Sequence, residues 1–198
     1  MTHPIQCSCG ILKGTVSTTD VINRCVCYCT DCQAFAHFLQ RPTDILDSLG
    51  GTDIIQTLPK YISFTEGTEN LACMRLTDKG LLRWYASCCH TPIGNTPPNF
   101  KLSFIGLIHT CLEAGDGSLE SAFGPIHTHV YTKHAKEKGK VKSVGVAAAL
   151  LRITGMILRA RFDGSYRITP FFLPETGGPI VSPKILSAQE LKELKSAA

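Results

Sequence analysis

The sequence has no stretch able to cross a membrane as a helix. Its most apolar region, residues 144–162 (VGVAAALLRITGMILRARF), is cut by Arg152 and Arg159 and falls short of the ~20 apolar residues that a span needs. Those arginines stand seven positions apart and share one helical face, so the segment reads as a half-buried or interfacial helix. The opening MTHPIQCSCG has neither the basic n-region nor the apolar h-region of a secretory signal, which sets the expectation at the cytoplasm. Repeats and low-complexity linkers are absent. Charge is concentrated in one place: residues 133–142 (KHAKEKGKVK) hold five lysines against one glutamate, equal to the whole formal net charge of +4. The remainder is close to neutral, which argues against a nucleic-acid-binding face and leaves the segment as a solvated lysine-rich loop.

What is present supports a real core. The chain has 198 residues and 43% hydrophobic content, enough for one substantial domain. Strand-like runs fall at 11–17, 21–27, 60–65, 71–77 and 81–85, the last two flanking the hairpin letters Thr77-Asp78-Lys79-Gly80. A brief helix is expected at 42–49, stopped by Gly50-Gly51. Further on come strands at 103–112 and 166–173, the apolar helix, and a small helix at 187–196 opened by the capping box of Ser187 and Glu190. The expected fold is mainly β over residues 1–100, with a mixed α+β extension over 101–198 that completes or flanks the same domain.

Ten cysteines are the most informative feature, and six of them lie between positions 7 and 32. In a reducing compartment, cysteines this close are metal ligands or redox groups more often than bridges. Zinc favours thiolates in a tetrahedron: structural sites use four protein ligands, and catalytic sites hold three and leave a position open. Cys7 and Cys9 need ligands brought from elsewhere, and Cys88 and Cys89 are the distant pair available. Cys27, Cys29 and Cys32 supply three thiolates in six residues, with Cys25 on the same strand face as a candidate fourth. Cys73 and Cys111 sit in apolar patterns and read as buried small hydrophobes.

The order Cys7-x-Cys9-Gly10, then Cys27-x-Cys29-x-x-Cys32, then Trp84-Tyr85 leading to Cys89-His90-Thr91 resembles the glutathione-dependent formaldehyde-activating enzymes, a family that includes centromere protein V relatives. The resemblance covers about residues 5–100. It implies an Mss4-like β fold and two zinc ions, one structural on the first and last pairs, the other on Cys27, Cys29 and Cys32 with an exchangeable position. It also implies carbon-sulfur lyase chemistry on a small-molecule thiol or thiol adduct, with glutathione as co-substrate and formaldehyde as the family's substrate. Two departures stand out. The family's closing Cys-x-x-Cys-Gly has Ala86 in place of its first cysteine and His90 in place of its glycine, so Cys88 is the candidate replacement ligand; and Cys25 is able to close the second site.

Around these ligands, Gln33, Phe35, His37 and Phe38 are candidates to line the mouth of the site, although Phe35 and Phe38 also have core spacing. His90 is a candidate outer or replacement ligand. Asn95 lies in a turn-rich stretch that could approach the metal, and His127 and His129 alternate as a weaker metal pair. No general acid or base is assigned. Two other readings stay open beside an enzyme: a non-catalytic zinc-stabilised binding module, and a redox dithiol formed by Cys29 and Cys32.

Overall fold

The computed structural model describes residues 1–18, 23–114, 117–137 and 139–197. Val21 and Ile22 of the expected strand 21–27, and Lys138 of the lysine segment, lie outside the described residues. In chain order the elements are β1 (Thr2–Gln6), β2 (Lys13–Ser17), β3 (Asn23–Cys27), α1 (Thr30–Phe38), α2 (Pro42–Ile45), β4 (Thr52–Thr57), β5 (Ile62–Glu66) and β6 (Leu71–Arg75). They continue with β7 (Leu82–Ala86), β8 (Pro92–Thr96), β9 (Ile105–Ile108), α3 (Leu119–Phe123), β10 (Thr128–Val130), α4 (Val146–Phe162), β11 (Lys184–Ile185) and α5 (Ala188–Ser196). The chain is mainly β.

Two sheets and a helical layer are stacked. The small sheet is antiparallel in the order β1-β2-β5; the large one runs β10-β3-β4-β9-β8-β7-β6-β11. Its interior pairings are antiparallel, while β10 joins β3 and β11 joins β6 in parallel at the two edges. Period-2 alternation explains the layering. On β7, Leu82, Trp84 and Ala86 enter the core shared with Ile5 and Val16 of the small sheet and with Leu12 just before β2. On the opposite face, Phe35, Leu39, Met74 and Ile108 pack together, and Leu191 and Leu194 of α5 close over them. β9 lies between β4 and β8, so the large sheet draws on residues from both sides of position 100.

Several expected elements are altered for physical reasons. The helix expected at 42–49 is only Pro42–Ile45: Leu46 is already extended and bridges Thr52, and Asp47 Oδ1 accepts from the N–H groups of Leu49 and Gly51, both at 2.8 Å. The strand expected at 166–173 is not formed. Residues Ser165–Arg167 make a 3₁₀ turn, and Phe171 and Phe172 beyond Pro170 serve the core, with the Phe171 ring centroid 5.0 Å from that of Trp84. The capping box of α5 is present as read, with Ser187 and Glu190 bonding reciprocally. No helix among the described residues is long and apolar enough to cross a membrane. α4 packs through Ala149 and Ala160 and leaves Leu150, Leu151, Leu158 and Phe162 exposed.

Candidate metal centres

All seven cysteines expected as ligands fall into two groups. Cys7, Cys9, Cys88 and Cys89 form one; Cys27, Cys29 and Cys32 form the other, and in each the ligand atoms lie within 4.8 Å of one another. Cys25 belongs to neither.

The four-thiol group is built by two knuckles. In the first, Gly10 N–H donates to Cys7 O at 2.8 Å and Leu12 N–H to Cys7 Sγ at 3.2 Å, with Gly10 in the left-handed region at φ 76°. In the second, His90 N–H donates to Ala86 O at 2.8 Å, and His90 itself sits at φ 56°. Thr91 ties the two together: its hydroxyl accepts from Ser8 N–H at 2.9 Å and lies 3.1 Å from Cys89 Sγ. Arg41 reaches Ser8 Oγ, Thr91 Oγ1 and Cys89 O from outside. The sulfur separations are 3.5 Å for Cys7–Cys9, 3.8 Å for Cys7–Cys88, 3.3 Å for Cys9–Cys88 and 3.8 Å for Cys88–Cys89. A tetrahedron of thiolates with metal–sulfur bonds of ~2.3 Å has edges of ~3.8 Å, so the donor set fits such an ion. Cys88 is a member of the group, and Ala86 contributes backbone hydrogen bonds to its knuckle. Burial opposes charge on Cys89, but hydrogen bonds from Ser8, Thr91 and nearby backbone outweigh it and lower this thiol to about 5.

The three-thiol group sits where β3 ends and α1 begins. Alternation along β3 points Cys25 and Cys27 to one side, and Tyr28 N–H donates to Val130 O of β10 at 3.1 Å. Cys29 is the N-cap of α1, and its sulfur accepts from Cys32 N–H at 3.3 Å. The helix therefore places two sulfurs where its unpaired N–H groups and dipole favour negative charge. Cys32 Sγ lies 3.8 Å from Cys27 Sγ, again the edge of a tetrahedron. Cys27 and Cys29, together with Arg83, hold Cys32 well below the ordinary thiol range, while Cys27 is pushed up. Burial raises Cys25 to about 12.

A cavity of about 400 Å³ opens over this second group. Its walls come from β4 (Ile54, Gln56), β7 (Arg83), β8 (Asn95), β9 and the segment before it (Gly106, Phe104), and β10 with the loop beyond (Val130, Tyr131, His134). Asn95 thus borders the site, from strand β8 rather than from the loop that its turn-rich letters suggested. The QAFAHF residues do not: α1 turns Phe35 into the core, and Gln33 is spent on Tyr28 O and His134 O at 2.9 and 3.1 Å. His90 belongs to the other knuckle, and neither His127 nor His129 joins a metal-ligating group among the described residues. Arg83, Gln56, Tyr131 and His134 escaped the sequence reading. Arg83 had a signal, a charged letter inside the apolar run Leu81-Leu82-Arg83-Trp84-Tyr85.

No curated protein matches this chain. A crystal structure of a Rhodobacter sphaeroides protein, solved as a structural-genomics target, is 16% identical; the match covers 62% of this chain and 96% of that one, with a TM-score of 0.40. Residues 1–180 match a family described as being of unknown function, DUF6151, and the chain belongs to that family.

Proposed function

We propose that the chain carries two zinc ions of different purpose, and that the second handles a small thiol or thiol adduct. The observation that carries this is the difference in ligand count. Four thiols meet at the first group, while only three meet at the second, beneath a cavity. Four protein ligands complete a structural ion; three leave a position for an exchangeable ligand. When bound, such an ion is a Lewis acid that keeps a thiol deprotonated at neutral pH.

The chain's own residues supply the rest of the environment. Ile54, Leu81, Phe104 and Val130 make the walls apolar, which excludes water from a reacting carbonyl. Tyr131 and His134 bring a hydroxyl and an imidazole to the lining, and Tyr131 is held in the left-handed region at φ 56°, a conformation found at sites with positional demands. The reaction that suits this arrangement is reversible addition of a thiol to an aldehyde. The sulfur forms a bond to the carbonyl carbon, the carbonyl π pair moves to oxygen, and the proton lost by the thiol ends on that oxygen. The motif order that resembles the glutathione-dependent formaldehyde-activating enzymes supports the same chemistry, with a hydroxymethyl thioether as product.

Metal analysis tests the proposal. The purified chain should hold two zinc ions, and Cys32→Ser should hold one while keeping its fold. In the cobalt-substituted chain, an added thiol should change the absorption of the second ion only. Cobalt bands that no thiol perturbs would make both sites scaffolds and sink the catalytic reading.

A further inference from the structure

We infer that the cavity over the three-thiol group takes a small thiol bearing a carboxylate close to its sulfur, with Arg83 as the partner of that carboxylate. This rests on the open second site proposed above and narrows its substrate class. Arg83 is 3% exposed, on β7, and lines the cavity. No carboxylate among the described residues pairs with it. Asp31, the acidic side chain on the lining, is engaged by Lys195 at 2.8 Å.

The guanidinium is held in place with donors to spare. One arm donates to Asn95 Oδ1 at 3.2 Å, and the group also bears on the Cys32 sulfur. Its Nε–H is buried with no acceptor. The Phe35 ring lies against its plane, 5.3 Å from centroid to Cζ, which limits rotation. A buried donor without an acceptor costs free energy, and a buried arginine is best satisfied by a planar anion that accepts two parallel N–H bonds. A carboxylate is that anion.

Proximity sets the size of the molecule. Arg83 and Cys32 line one cavity of about 400 Å³, so a thiol seated on the three-thiol group needs its carboxylate only a few bonds from sulfur. A short mercapto acid meets this condition. Glutathione carries its carboxylates at the two ends of a tripeptide, remote from the thiol. The apolar side chains of Ile54, Leu81, Phe104 and Val130 suit a short carbon chain.

The test compares 3-mercaptopropionate with 3-mercaptopropionamide on the full cobalt-substituted chain, by titration calorimetry and absorption. The acid should bind on the order of tenfold tighter than the amide, as expected for a charge-assisted pair in a buried site. Arg83→Gln should abolish that preference. Asn95→Asp, which keeps the side-chain shape and gives Arg83 a carboxylate of its own, should abolish it too and guards against misfolding of the arginine variant. Equal affinity for acid and amide would overturn the carboxylate assignment while leaving the open site standing, and so would tighter binding of glutathione than of the acid. Failure of both probes to perturb the cobalt bands would overturn the open site itself.

Discussion

His90 is exposed, at φ 56°, where a glycine would rest without strain. Its ring meets Tyr85 edge-on with centroids 6.3 Å apart, a modest return for the conformation. Replacing it by glycine should therefore stabilise the protein by about 1 kcal/mol, read from urea unfolding, with metal content unchanged. A loss of stability would mean that the Tyr85 contact outweighs the backbone strain. At this scale the candidate ligands were legible because their spacing is local: Cys7 and Cys9, or Cys27, Cys29 and Cys32, suggest a grip on an ion without reference to the fold. The pairing of Cys7 and Cys9 with Cys88 and Cys89 followed by elimination. Arg83, Gln56, Tyr131 and His134 did not follow, since nothing local says that strands from across the sheet and a loop surround one cavity.

Among the elements, β3 and β4 are joined by more than their ladder. Arg24 on β3 grips Asp53 on β4 through Nε at 3.0 and 3.1 Å and through Nη2 at 2.6 Å, and its remaining arm donates to Gly124 O at 3.1 Å. Both side chains are largely buried, at 9% and 17% exposure, so removing one strands the other. Asp53→Ala should cost about 3 kcal/mol in chemical denaturation, and pairing it with Arg24→Met should recover most of that loss. No recovery in the double variant would show that the arginine's bond to Gly124, rather than the ion pair, holds this corner. Other elements show where sequence reading stops. β8 carries proline, glycine and asparagine, all turn letters, yet it is a buried strand. Pro92 occupies its first position, and a Cβ on Gly94 would stand 2.7 Å from Gly106 O of β9. Glycine there admits a neighbouring backbone rather than a turn. α1 was hidden for a different reason: its cap is Cys29, a residue read first as a ligand.

For the whole molecule, the two groups differ in what they join. The four-thiol group fastens the end of β1 to the turn after β7, residues some eighty positions apart, whereas the three-thiol group closes a span of six. Ordering a long loop costs more entropy, and an ion that secures it contributes more to folding. Cys9→Ser should lower the melting temperature by on the order of 10 °C, and Cys32→Ser by roughly 3 °C or less. Equal effects would mean that the second ion supports the fold as much as the first. The strand pairing could not be read from the sequence because β9 and β10 insert beside β4 and β3 from far along the chain. Hydrophobic periodicity identifies strands, not neighbours.

The unequal spans also set an order of events during synthesis. A growing chain owns all three thiols of the second group once Cys32 has emerged, long before β7, β8, β9 and β10 exist to roof them. The first group stays incomplete until Cys89 is made. Early in its life the protein therefore presents three closely spaced thiols, open to oxidation until a bound ion or the cavity walls cover them. Even once Cys89 is made, β8, β9 and β10 are still to come, so both thiol groups are complete before the cavity over the second can close.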